Sequence, residues 1–151
     1  MEIQINYHEV DEYFQLKTTF IEVLNWTIKK LNLPVNTLDV ILTSDSYLRQ
    51  LHKKFFDLDS KTDVITFDLN ENPNEIEGEI YISIERAIDQ SKQYKVSPEI
   101  EICRLLIHGC LHLAGFDDVK ESDLTEMKKE ENKLVEQVSR IYHNKLHVGV
   151  N

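Results

Sequence analysis

The stretch SPEIEICRLLIHGCLHLAG, residues 97–115, constrains this chain more than any other. Ser97 is a helix-capping residue type, Pro98 suits the first helical position, and Gly115 suits the position just past a helix end. The apolar run between them predicts a helix that stops at Gly115. The segments around it alternate between strand and helix periods. Residues 2–6 (EIQIN) alternate and predict a first strand. Residues 14–32 carry Phe20, Leu24, Trp26, Ile28 and Leu31 at helical spacing, and Leu33-Pro34 ends that helix. Residues 37–42 predict a second strand, and Thr43-Ser44-Asp45 offers caps for a helix running to about Phe55. Residues 62–69 (TDVITFDL) predict a third strand. Residues 78–84 (GEIYISI) predict a fourth, antiparallel to the third across an acidic, Asn- and Pro-containing loop. A helix is expected at 85–94 and a last amphipathic one at 122–142, opening with Ser122 and carrying Leu124, Met127, Leu134, Val138 and Ile141. The sum is an α+β fold, a small mixed four-stranded sheet packed with helices, with residues 1–151 as one domain.

A chain of 151 residues can bury a substantial core. No apolar run approaches the ~20 residues of a membrane span. The opening MEIQINYHEVDEYF lacks the basic-then-apolar order of an export signal, so a cytoplasmic location is expected, with no membrane partner. The net charge of −10 argues against a protein that coats nucleic acid without specificity, and leaves room for an enzyme with a local basic groove. Cys103 and Cys110 lie seven apart near one azimuth of the same helix, where they cannot bridge. They read as reduced, buried, small apolar residues.

The run HGCLHLAGFDD, residues 108–118, carries the chemistry. His108 and His112 stand one helical turn apart and face the same way, the simplest means of presenting two imidazoles to one ion. Gly115 lets the chain turn back, bringing residue 117 or 118 over the pair. A carboxylate from Asp118 would make two nitrogens and one oxygen with an open position, a catalytic zinc arrangement. Gly109 costs about 1 kcal/mol relative to alanine inside a helix, which is tolerated where something must approach the backbone closely. His143 and His147 repeat the same spacing at the C-terminal end without a following turn and third ligand, and read as a charged helix terminus. Asp57, Asp59 and Asp63 resemble the start of a calcium loop, but Lys61 occupies a ligand position and the turn glycine is missing.

HGCLHLAGFDD resembles the signature H-G-x-L-H-L-x-G-Y-D-H of the YbeY family, bacterial endoribonucleases that mature ribosomal RNA. The likeness extends to TDVITF, similar to the family's T-D-V-L-S-F, to GEIYIS in its fourth strand, and to EMKKEENKL in its closing helix. The resemblance implies a zinc-dependent enzyme that cuts single-stranded RNA, acts on the 3′ end of small-subunit ribosomal RNA, and associates with the ribosome or its small subunit. It implies one Zn²⁺ per chain, with Asp118, in the column of the third histidine, joining His108 and His112. The family's phosphate-contacting arginine falls on Phe56, which can stack on a base. Lys53, Lys54, Lys61 or Arg49 could supply the charge, and Thr62 and Thr66 could bond phosphates in a groove between the third strand and the metal helix.

Two other readings are open. One is a metal-stabilised ribosome assembly factor with weak or no catalysis. The other is a zinc peptidase, because H-x3-H-x2-G-x2-D also resembles the metzincin pattern. The peptidase base, a glutamate after the first histidine, is replaced by Gly109.

Overall fold

The computed structural model describes residues 1–57, 62–72, 74–116 and 120–146. Its elements in chain order are β1 (Glu2–Tyr7), α1 (Lys17–Leu31), β2 (Val35–Thr43), α2 (Asp45–Phe56), β3 (Val64–Asp68), β4 (Ile76–Ser83), α3 (Ile84–Tyr94), α4 (Pro98–Leu113) and α5 (Glu121–Ile141). The sheet runs in the order β1-β2-β4-β3. β1, β2 and β4 are parallel, while β3 pairs antiparallel to β4 and leaves one of its own edges unpaired. This is the α+β fold with a small mixed sheet that the sequence predicts. None of the described helices is long and apolar enough to cross a membrane.

One face of the sheet holds the core. Leu38, Val40 and Leu42 of β2 and Ile80 and Ile82 of β4 are almost fully buried, against Ile102, Leu106 and Leu111 of α4 and Phe20, Val23 and Leu24 of α1. Helix α4 is sheltered by the sheet, α1, α3 and α5, which is why its apolar residues run nearly all round it. Gly109 is the point of closest approach. A Cβ there would sit 2.6 Å from the Cδ1 of Ile80, so the glycine exists to let α4 lie down on β4.

The caps follow the sequence closely. Ser44, Ser83 and Ser97 accept hydrogen bonds from the amides of Tyr47, Arg86 and Ile100 at the starts of α2, α3 and α4. Gly115 has φ of +98°, so the chain leaves α4 through a conformation that favours glycine.

Two expectations need correction, the starts of the first and last helices. Helix α1 begins at Lys17, not at residue 14. The Tyr7 hydroxyl donates to the Phe14 carbonyl at 2.6 Å and accepts from its amide at 3.1 Å, holding Phe14 outside the helix while its ring enters the core. Helix α5 starts at Glu121 after Lys120, with no side-chain cap, so Ser122 lies inside it, and Leu124 stays exposed. His143 lies beyond the end of α5, and its partner His147 falls outside the described residues.

Candidate metal centre and substrate cleft

Burial decides the orientation of the metal helix. The apolar side chains of α4 turn inward, and His108 and His112 remain on the strip that is only partly covered. Their rings lie 4.8 Å apart, centroid to centroid, and nearly perpendicular. His108 is held from behind. Its Nδ1 lies 2.7 Å from Oε1 of Glu131 on α5. With Nδ1–H donating to the carboxylate, Nε2 is the ring nitrogen that carries the lone pair, the form in which a histidine ligates a metal. Glu131 is itself fixed by Arg104, whose guanidinium donates to its Oε2 at 2.9 Å and to the Asn132 side chain at 2.8 Å. Burial would raise the Glu131 pKa, but the hydrogen bonds it accepts from His108 and Arg104 and the positive charge beside it outweigh burial and hold the carboxyl below its ordinary range.

Sequence reading passed over Glu131 and Arg104. A signal was present, since EMKKEENKL, one of the blocks that carries the family likeness, contains Glu131 and Asn132. The contact between α4 and α5 could not be read from spacing alone.

Two histidines do not make a centre. Among the described residues, no group of three or more His, Cys, Asp and Glu side chains is placed to hold a metal ion. Asp118 and Asp117 lie outside the described residues, as do Lys61 and Asp59. Of the aspartates that resembled a calcium loop, Asp57 closes α2 in a left-handed conformation and Asp63 accepts from the Gln90 amide at 3.2 Å. The donor set that is described suits zinc: two imidazoles one turn apart, one with a carboxylate behind it.

A cavity of about 490 Å³ opens beside His112. Its walls include His52 and Phe56 of α2, Thr62, Val64, Thr66 and Asp68 along β3, and Leu113. It follows the unpaired edge of β3, between that strand and the metal helix, where the groove was expected. The ladder explains the polarity of this edge. Ser83 donates to the Asp63 carbonyl at 3.0 Å and Leu69 to the Glu77 carbonyl at 2.8 Å, so the alternate residues Val64, Thr66 and Asp68 direct their amides away from β4. The Thr66 hydroxyl is buried in this wall without a hydrogen-bond partner, while the Thr62 hydroxyl reaches the Val64 carbonyl at 3.4 Å. Phe56, 47% exposed, forms the outer lip.

Gly109 offers no base for peptide hydrolysis, and its position is packed on Ile80 instead of facing this cavity. Cys103 and Cys110 are buried free thiols. Burial raises the pKa of both, that of Cys110 to about 12, so neither is a nucleophile.

The chain is similar to known proteins along most of its length. The family model described as Endoribonuclease YbeY matches residues 1–139. A protein of that name from Flavobacterium psychrophilum is 36% identical over 133 residues, covering 87% of this chain and 94% of its own length. Another from Amoebophilus asiaticus is 37% identical over 131 residues, covering 85% and 88%. The solution structure of TM1509 from Thermotoga maritima superposes with a TM-score of 0.68 at 29% identity, over 97% of this chain and 95% of that one.

Proposed function

The chain belongs to the YbeY endoribonuclease family, and from that premise we propose that it is a zinc-dependent enzyme cutting single-stranded ribosomal RNA. Its place is the processing of the small-subunit RNA 3′ end during ribosome maturation in the cytoplasm, in contact with the ribosome or its small subunit. The observation that carries the reading is the carboxylate-backed His108, one turn from His112, beside a cleft along a strand edge. His108, His112 and Asp118 would hold one Zn²⁺. When bound, zinc supplies a Lewis acid for a phosphate oxygen and lowers the pKa of its water.

The remaining work falls to residues of the cleft. The outward amides of β3 and the Thr66 hydroxyl are donors suited to the oxygens of an RNA backbone. Thr62 stands at the entry to the same strand, and Phe56 offers a ring at the lip. The buried reduced cysteines suit the cytoplasm.

The test is a nuclease assay on a defined single-stranded RNA, run with elemental analysis. The parent should cut within the strand and carry about one zinc per chain. His112→Ala should lose the metal and at least about a hundred-fold in rate, the scale of losing a principal electrostatic stabiliser. Full zinc or undiminished cutting in that variant would overturn the assignment. Asp118→Ala should weaken zinc binding and Asp117→Ala should spare it; the reverse result moves the third ligand to Asp117.

A further inference from the structure

Helix α2 and strand β3 expose an aromatic cluster that the metal centre does not use. Phe55 and Phe56 end α2, with 55% and 47% of their surfaces exposed. Both rings meet Phe67 of β3, Phe55 edge-on at 5.2 Å and Phe56 nearly parallel, at 6.0 Å and 13°. Phe67 in turn meets Tyr81 of β4 edge-on at 6.0 Å. Phe67 and Tyr81 stand on neighbouring strands, on the sheet face opposite the buried Ile80 and Ile82, and Phe55 and Phe56 of α2 both meet Phe67, so the rings form a continuous surface and not scattered exposures.

We propose that this cluster is a stacking platform for unpaired bases of the RNA strand that enters the cleft. The inference rests on the RNA reading above and deepens it. Two observations select that occupant. The platform is continuous with the cleft, because Phe56 lines the same cavity as His112 and Thr66. It also lies on the basic helix of an acidic chain. Helix α2 carries three basic residues against one acidic, whereas the whole chain has a net charge of −10. The Lys54 ammonium lies 5.4 Å from the Phe55 ring centroid, which sets a cation directly beside a base-sized aromatic face. Aromatic rings interleaved with cations are what a single strand needs: the rings take the bases and the cations take the phosphates.

The experiment measures binding of a short single-stranded RNA carrying 2-aminopurine, and of its abasic counterpart, to the full-length zinc-loaded protein. Phe55→Ala and Phe56→Ala should each weaken binding of the base-bearing strand roughly five- to hundred-fold, the worth of one base stacked on one ring. Both should also relieve the quenching of 2-aminopurine fluorescence. Phe56→Tyr should retain affinity. The abasic strand should bind the parent more weakly than the base-bearing strand does, and should not distinguish parent from variant. Both rings are outside the core, so circular dichroism should be unchanged. Equal affinity for base-bearing and abasic strands in a parent that still cuts RNA overturns the platform and leaves the RNA reading standing. A parent that neither binds nor cuts RNA overturns both. A dimer in sedimentation that dissociates on Phe56→Ala, with RNA affinity unchanged, would assign the rings to a second copy of this chain and overturn the platform.

Discussion

His108 gains its chemistry from a residue twenty-three positions away. An imidazole on a helix surface rotates and exchanges tautomers, and either costs affinity for a metal. The Glu131 carboxylate at 2.7 Å removes both freedoms, and Arg104 keeps that carboxylate in place. Glu131 is a positioning residue, and its test must read more than activity. Glu131→Gln keeps the shape but removes the charge, so zinc affinity measured by chelator competition should fall about ten- to hundred-fold. Unchanged affinity would mean that the carboxylate serves only Arg104. Glu131→Asp, which keeps the charge on a shorter arm, should fall between the two.

At the scale of elements, the site depends on how closely α4 lies on β4. Gly109→Ala would ordinarily favour a helix by about 1 kcal/mol. Here the new methyl would meet Ile80 at 2.6, 3.0 and 3.2 Å from three of its carbons. That contact must be relieved by moving a buried side chain or the helix, so the expected net result is a loss of about 1–3 kcal/mol. Urea denaturation checks the sign, and Ile80→Ala in the same chain should abolish the penalty of the added methyl in a double-mutant cycle. The element pattern was legible because its signals are local: Ser44 and Ser97 are caps, Gly115 is a stop, and GEIYIS alternates. The start of α1 was not, because the Tyr7 hydroxyl that holds Phe14 outside it acts across seven residues from another element. The histidine pair was legible for the same reason that caps are, whereas Glu131 and the Phe55–Phe56–Phe67 cluster were not. Those groups meet only when α5 packs on α4 and α2 on β3, and no periodicity records the packing of one element on another.

At the scale of the molecule, one buried acid sets how stability responds to pH. Glu101 on α4 is 1% exposed, and its Oε1 has no hydrogen-bond partner, the Arg104 guanidinium being 3.7 Å away. Burial pushes its pKa up to about 7; Arg104 opposes the shift, and Asp63 and Glu131 add to it. The folded protein therefore holds this proton more tightly than the unfolded chain, whose carboxyl titrates near 4.5. The stability it contributes is fully present below that ordinary value and is lost as pH rises through the folded value near 7. Glutamine at this position cannot ionise. The gap in unfolding free energy between Glu101→Gln and the parent should therefore move in the variant's favour by on the order of 2–3 kcal/mol between pH 4 and pH 8. The measurement is urea denaturation across that range with metal removed from both proteins, since zinc release has its own proton linkage. A gap that stays constant with pH would mean that the Glu101 carboxyl ionises in the folded state as readily as in the unfolded chain. Arg104 would then be neutralising Glu101 as well as Glu131, and the same guanidinium would be stabilising the fold and holding the metal helix at once.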